Sequence, residues 1–239
     1  MDIRLGPVCR KTAAGADGGG GMLHWRSNVA HAPPRRSRPY VMRLDRRDPL
    51  ARFQTARLRY APLAAEDAVE LFPLLADPAV YRHIDDDPPA SVEELSARFD
   101  RMRAGPPSGP STDRATDGAT DRAGDRAGES WWNYTVRLLE SGLAIGRLEA
   151  TVIDDRAEIA YLFGQAYWGN GYATEAVNWL HQQLRRCSAV NTFWATVRPE
   201  NLPSIQLLCR TGYVEATNWP PLRSYDSGDI VYCRGAGGD

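Results

Sequence analysis

Two glycines one residue apart, Gly169 and Gly171, stand between an apolar segment and a helical pattern. Glycine adopts backbone conformations that other residues avoid, and it lets a ligand come close to the main chain. A helix that begins here would direct unpaired N–H groups and the positive end of its dipole at an anion. The spacing is therefore typical of a diphosphate cradle. A Gly-x-Gly pair also marks ordinary turns, and that alternative stays open on these residues alone.

The residues on either side predict the elements that would position this pair. Residues 157–163 read Ala-Glu-Ile-Ala-Tyr-Leu-Phe and predict a strand that leads into it. The helix that follows has its apolar residues at helical spacing on one face, namely Ala173, Ala176, Val177, Leu180 and Leu184. A buried strand at 192–197 and a helix at 201–210 come next, with Pro203 in the first turn of that helix and Gly212 at its end.

The earlier residues predict a mixture of strands and helices. Alternation at 55–63 indicates a first strand, and a helix from Glu66 would carry Ala68, Val69, Phe72 and Leu75 on its apolar side, with Pro73 kinking or splitting it. Asp77-Pro78 begins a short helical turn, and Ser91 to Glu94 has the form of a capping box. Strands at 132–139, 144–152 and 157–163 form a meander, and strands at 213–216 and 229–233 close the fold.

Composition divides the 239 residues into one folded domain and two low-complexity segments. Residues 1–50 hold ten Lys or Arg against four Asp, a net charge of +6, and are rich in Gly and Pro, so we expect a disordered basic extension. Residues 105–130 contain four Asp-containing tetrapeptides with alanine as their apolar residue, which indicates a disordered insert. The domain spans 51–235, and two native starts of the protein stay open, Met1 and Met42.

Several classes of function are disfavoured by the composition. No apolar run is long enough for a membrane span, and the first residues lack a secretory apolar region, so we expect a cytoplasmic protein. The net charge of −1 leaves −7 on the chain after residue 50, which argues against a nucleic-acid surface there. The four cysteines and four histidines show no metal-ligand spacing, so we expect no metal. We expect a monomer or a homodimer.

Two motifs in register resemble the GCN5-related N-acetyltransferases (GNAT), specifically the branch that acetylates ribosomal proteins and small amines. They are the residues from Tyr167 to Ala176 and, downstream, Asn201-Leu202-Pro203-Ser204 ending in Thr211-Gly212-Tyr213. The resemblance covers about residues 52–234. It implies an α+β fold, an α/β/α sandwich whose mixed, mostly antiparallel sheet of six to seven strands splays between the fourth and fifth strands, with about four flanking helices.

The resemblance also implies acetyl-CoA as acetyl donor. Backbone amides of the cradle would hold its diphosphate, and the preceding strand would pair with its pantetheine arm through Ala160, Tyr161, Leu162 and Phe163. Asn201 and Ser204 match positions that touch pantetheine or the reacting end. The family's Gln or Arg three residues before the first glycine is Ala166 here, with Gln165 one residue away. The cradle residues implied are Trp168, Gly169, Asn170, Gly171, Tyr172, Ala173 and Thr174.

Acetyl transfer to an amine needs a base, donors for the oxyanion and a proton for the leaving thiolate. A main-chain N–H near Tyr161 or Leu162 would serve the oxyanion. Glu158 matches a family glutamate that acts as general base, with Glu149 the second candidate; the alternative for Glu158 is a solvated or ion-paired strand residue. The family's tyrosine acid is Leu208 here, so Ser204 or a water on Asn201 would replace it. Asn201 alternatively only caps its helix.

The acceptor is expected to lie against the acidic loop between the first helices. Its three carboxylates would suit a cationic small molecule, an aminoglycoside or a polyamine, and hence antibiotic modification. The alternative for this loop is a solvated turn. Two further possibilities stay open: a peptide N-terminal amine as acceptor, or a non-catalytic acyl-CoA-binding regulatory module. The acceptor residues expected are Tyr81, His83, Asp85, Asp86, Asp87 and Glu149, with Trp131 and Trp132 forming a wall of the cleft or simply core.

Overall fold

Seven strands and five α-helices make up the part of the chain that the computed structural model describes, which is residues 53–106, 128–235 and 237. These residues belong to one unit, 43–239. The strands are β1 (Leu58–Pro62), β2 (Glu129–Leu138), β3 (Ala144–Ile153), β4 (Arg156–Phe163), β5 (Thr192–Val197), β6 (Val214–Glu215) and β7 (Ile230–Gly235). The helices are α1 (Asp67–Leu75), α2 (Pro78–Tyr81), α3 (Val92–Ala104), α4 (Tyr172–Cys187) and α5 (Leu202–Arg210).

The strands form one mixed sheet in the order β1-β2-β3-β4-β5-β7-β6. Every neighbouring pair is antiparallel except β4 and β5, which run parallel and pair at three positions, Arg156–Thr192, Ala157–Phe193 and Glu158–Trp194. Beyond Glu158 the two strands no longer pair, so β4 presents an edge toward the gap. The predicted splay between the fourth and fifth strands is confirmed.

Helices cover both faces of the sheet, which confirms the expected α/β/α sandwich. On one face α4 packs through Trp179, whose ring stacks on Tyr60 at 3.7 Å between centroids and meets the edge of Tyr134 at 5.0 Å. On the other face α1 and α3 form a second apolar cluster around Leu71, Leu95 and Phe99. Burial of these apolar side chains is the main contribution to the stability of both layers.

Three details of the sequence interpretation need correction. Val69 is 66% exposed, because its position lies off the buried face that Ala68, Leu71 and Leu75 share. Pro73 does not split the first helix but lies in its last turn. Strand β2 begins at Glu129, where it already pairs with Ile153, so the insert ends earlier than expected.

The capping predictions for α2 and α3 are confirmed. Asp77 accepts a hydrogen bond from the Ala79 N–H at 2.9 Å at the start of α2. Ser91 accepts one from Glu94 N at 3.2 Å at the start of α3, and Glu94 returns a bond to the Ala90 N–H. The extension at 1–50 and the four repeats lie outside the described residues and stay predictions.

Candidate functional site

The glycine pair forms a turn that leads directly into α4. A short 3-10 turn, Gln165–Tyr167, follows β4, and Gly169 and Gly171 then adopt φ of +76° and +77°. These left-handed values strain any residue with a Cβ, so both glycines are required by the backbone. Gly171 is the N-cap of α4 and offers no side-chain cap. The first amides of α4 therefore point outward without a side-chain acceptor, as an anion site requires.

Side chains of the loop itself brace this turn. The indole Nε1 of Trp168 donates to the Phe163 carbonyl at 2.7 Å, and the Asn170 amide donates to the carbonyls of Tyr167 and Trp168 at 3.3 and 3.0 Å. These side chains help the loop to hold its shape. The Phe163 carbonyl already accepts one hydrogen bond, and the pairing of Ala160–Phe163 with a pantetheine arm stays a prediction.

Arg57, just before β1, reaches the cradle from a distant part of the sequence, and sequence reasoning missed it. Its Nε donates to Glu175 at 2.7 Å and its Nη1 to the Asn170 carbonyl at 2.9 Å, while its guanidinium lies 4.7 Å from the centre of the Tyr172 ring. Glu175 also accepts from Thr55 Oγ1 at 2.6 Å. Burial alone would raise the pKa of Glu175, but these hydrogen bonds and the charge of Arg57 outweigh it and lower that pKa.

The edge of β4 at the splay lies beside the start of α5. Ala160 is exposed there, and the Tyr161 hydroxyl hydrogen-bonds Ser204, while burial raises the pKa of Tyr161 to about 12. Asn201 Oδ1 accepts from Ser204 N at 3.3 Å and so caps α5, as one reading of the sequence expected. Leu208 is buried, so the described proton donors at this point are the Ser204 and Tyr161 hydroxyls. The Tyr161 phenol was not singled out from sequence.

Glu158 is 5% exposed, and both oxygens of its carboxylate accept hydrogen bonds. It accepts from Arg223 N at 2.9 and 2.8 Å through its two oxygens, from Ser224 N at 3.0 Å and from Ser224 Oγ at 3.1 Å. These bonds fasten the β6–β7 connection to the sheet. The structure thus brings Glu158 to the splay, but with its lone pairs directed at this connection. Its role as general base stays a prediction.

Glu149 lies on the same face as Glu158, opposite the exposed Ala160 in the β3–β4 ladder. Directly opposite side chains in an antiparallel pair lie about 5 Å apart at Cβ, so this carboxylate adjoins the open edge of β4. It forms an ion pair with Arg147, and its side chain stays 27% exposed. Burial lowers the pKa of Arg147 to about 10, which keeps the guanidinium charged at neutral pH.

In the acidic loop, two of the three aspartates form ion pairs. Asp85 forms an ion pair with Arg198, which also reaches Asp226 at 3.4 Å, and Asp86 binds Arg98 at 2.6 Å. Two of the expected cation ligands are therefore already paired with arginines.

Of the other expected acceptor residues, Asp87 is exposed, His83 is half-buried and Tyr81 is buried, and burial raises the pKa of the Tyr81 phenol.

Trp132 does not line this cleft. It pairs with Ala150 and packs in the core on the α4 side, whereas Glu149 faces the opposite side, because side chains alternate along a strand. Its neighbour Trp131 faces the cleft side and donates its indole N–H to Glu129 at 2.7 Å. The core alternative stated for Trp132 is the one that the packing supports.

Within the described ranges, no group of three or more His, Cys, Asp or Glu is placed to hold a metal ion. Among the described cysteines, Cys187, Cys209 and Cys233 form no disulfide. No helix in that same part of the chain is long and apolar enough to cross a membrane.

Comparisons with known proteins agree on one family. The model of the acetyltransferase (GNAT) domain matches residues 57–214. The uncharacterized N-acetyltransferase p20 of Bacillus licheniformis is 38% identical over 78 residues, which are 31% of this chain and 44% of p20, so the match spans under half of that relative. The structure of a GNAT-family acetyltransferase from Bacillus anthracis has a TM-score of 0.58 at 16% identity and covers 78% of this chain and 99% of its own.

An aminoglycoside acetyltransferase solved with coenzyme A has a TM-score of 0.53 at 16% identity, over 74% of this chain and 94% of its own. At such identities the structural likeness shows the fold alone. The family model covers well over half of the chain, however, and its bounds enclose the cradle, the splayed β4 edge and the capped start of α5. The chain therefore belongs to the GNAT acetyltransferase family.

Proposed function

We propose that this protein is an acetyl-CoA-dependent N-acetyltransferase that moves the acetyl group directly to a primary amine. The observation that carries the proposal is the continuity of the cradle with an unpaired strand edge. The uncapped N-terminus of α4 suits a diphosphate, and the β4 edge beyond Glu158 leads from it to the splay. A ligand with an anionic end and an amide-bearing arm fits both, which is the chemistry of coenzyme A.

Proton transfer at the splay falls to two groups in this proposal. The attacking amine loses a proton as its nitrogen bonds the acetyl carbon, and the sulfur gains one as the C–S bond breaks. We assign the first proton to Glu149, the second of the two sequence candidates, because three donors already occupy Glu158. Glu149 has one ion-pair partner, Arg147, and a side chain that is 27% exposed beside Ala160. Glu158 acting through water is the competing assignment. We assign the second proton to Ser204, which hydrogen-bonds Tyr161.

The acceptor we propose is a cationic small molecule, of the aminoglycoside or polyamine kind. Its support is the exposed Asp87 and the partly open Glu149, together with the substrate class named for one structural neighbour. The pairing of Asp85 and Asp86 with arginines weakens the case for a highly charged acceptor. A peptide N-terminal amine, which carries one charge, is the second candidate for that reason.

A thiol-release assay tests the proposal. Wild-type protein is incubated with acetyl-CoA and, in turn, with aminoglycosides, polyamines and short peptides, and free thiol is measured. We expect release with at least one cationic small amine. Thiol release with peptides alone would identify the acceptor as a peptide N-terminal amine. Binding of acetyl-CoA with no release from any amine would favour a non-catalytic acyl-CoA-binding module.

A further inference from the structure

The cradle's own residues provide no cationic side chain. Residues 164–174 read Gly-Gln-Ala-Tyr-Trp-Gly-Asn-Gly-Tyr-Ala-Thr and contain no Lys, Arg or His. Backbone amides and the dipole of α4 offer only about half an elementary charge to the two charges of a diphosphate. Strong phosphate recognition in proteins commonly adds a guanidinium, whose planar fork matches phosphate oxygens. If this site holds a diphosphate, the compensating cation has to come from another element.

Arg57 is placed to supply that cation. Its Nη2 lies 3.6 Å from the position that a Cβ on Gly171 would occupy, so the guanidinium stands over the second glycine at the start of α4. Nε and Nη1 are taken up by Glu175 and the Asn170 carbonyl. Among the described residues, no hydrogen-bond partner lies on Nη2. The side chain is 46% exposed, which leaves this end open to a ligand.

The position of Arg57 is fixed before any ligand arrives. Glu175 accepts from the backbone N–H of Arg57 at 3.0 Å and from its Nε, and the Tyr172 ring lies against the guanidinium. The lowered pKa of Glu175 keeps this carboxylate ionised at neutral pH. A guanidinium held in this way loses little rotamer freedom when it binds, so a further hydrogen bond from Nη2 is obtained at low entropic cost.

We propose that Arg57 is a phosphate-binding residue of the donor site and that it contacts the diphosphate of coenzyme A through Nη2. The inference rests on the proposed function, because it needs coenzyme A as the ligand. Glu175 is then a positioning residue, which holds the guanidinium over Gly171 and touches no ligand itself. The family model begins at this arginine, 118 residues before Glu175 in the sequence, so the cradle combines two distant segments of the domain.

Calorimetric titration of wild type, Arg57→Gln and Arg57→Lys with coenzyme A and with 3′-dephospho-CoA tests this assignment. Arg59→Gln is the matched control, since it removes the same charge from an exposed position two residues away. Loss of one charge-assisted hydrogen bond predicts about tenfold weaker binding or more for Arg57→Gln with both ligands, and a smaller loss for Arg57→Lys. Arg59→Gln should bind as wild type does. Melting curves establish that each variant is folded.

Acetyl-pantetheine, which lacks the diphosphate, separates binding from mere support of the loop. With this donor kcat/KM should be the same for wild type and Arg57→Gln. An equal loss with acetyl-pantetheine would mean that Arg57 only shapes the loop, and a loss confined to coenzyme A would move its contact to the 3′-phosphate. Unchanged binding by Arg57→Gln overturns the inference alone, whereas failure of wild type to bind coenzyme A overturns the proposed function with it.

Discussion

The donor side and the acceptor side of the molecule differ in what their polar groups already bind. At the cradle, the first amides of α4 have no side-chain cap and one end of Arg57 is open, while the loop is held by its own side chains and by Arg57 Nη1. Across the splay, Asp85, Asp86 and Glu158 are occupied by Arg198, Arg98 and the β6–β7 connection. The first region is ready for an anion, whereas an amine must compete with arginines and backbone amides in the second.

The largest expected effect is on the rate of acetyl transfer, when the glutamates at the splay are substituted. Glu149→Gln should slow acetyl transfer about a hundredfold, since general bases contribute at least that much. It should also lower the melting temperature, because the buried Arg147 loses its ion-pair partner. Glu158→Gln should lower the melting temperature without a comparable loss of rate, because an amide N–H would face the amides of Arg223 and Ser224. Steady-state kinetics of the folded variants, together with thermal melts, separate the roles. A hundredfold slower Glu158→Gln beside a normal Glu149→Gln would return the base to Glu158.

How much of the structure can be predicted from the sequence depends on how close in the sequence the contacting residues are. The cradle was predictable because its glycines, strand and helix lie within about thirty consecutive residues whose patterns are short-range. The ion pair of Arg198 with Asp85 spans 113 residues, and the Glu158 bonds span 65, so no local periodicity indicates them. Trp131 and Trp132 show a finer limit. Both are apolar neighbours at a strand start, and only the pairing of β2 with β3 decides which of them faces the core.

Acid should lower the free energy of unfolding through His181, which lies fully buried on α4. Arg234 Nη1 donates to its Nδ1 at 2.6 Å, so Nε2 carries the proton shared with the Tyr213 hydroxyl at 2.8 Å. Burial, with the charges of Arg234 and Arg185, lowers the His181 pKa from 6.5 to about 3. The folded state therefore keeps His181 neutral, and its contribution to stability is complete above pH 6.5 and is lost as the pH falls toward 3.

One such proton changes the folding equilibrium about tenfold per pH unit within this window. Urea unfolding of wild type between pH 6.5 and 4 should show this slope, and His181→Gln should reduce it by one proton. A slope that is identical in the variant would show that His181 does not carry the effect.

Gly171→Val tests the cradle backbone itself. A left-handed conformation costs a residue with a Cβ about 1–2 kcal/mol, and more if it is β-branched, so binding of coenzyme A should weaken about tenfold. Gly142→Val is the matched control, because Gly142 has a similar φ of +74° in the β2–β3 turn. Both variants should lose stability, but calorimetry should find weakened binding in Gly171→Val alone. If the two variants bound coenzyme A with equal affinity, binding would not require the left-handed backbone at Gly171.

The smallest effect is expected at Arg198, where exposed ion pairs are weak. Arg198→Gln frees Asp85 and Asp226, so the KM for a cationic amine should change by about two- to fivefold while coenzyme A binding stays the same. Arg82→Gln removes an exposed charge from the same loop region without breaking this contact and serves as the control. A change in coenzyme A affinity in Arg198→Gln would contradict the separation of the two sides.

Titration of acetyl-CoA into the wild-type protein tests the central claim most directly. Because the α4 amides, Arg57 and the β4 edge are already in position, we expect saturable one-to-one binding and a melting temperature that rises with ligand concentration. Acetyl-pantetheine should bind far more weakly, because it lacks the diphosphate that the cradle holds. No heat and no thermal shift at millimolar acetyl-CoA would contradict both the donor site and the function proposed for it.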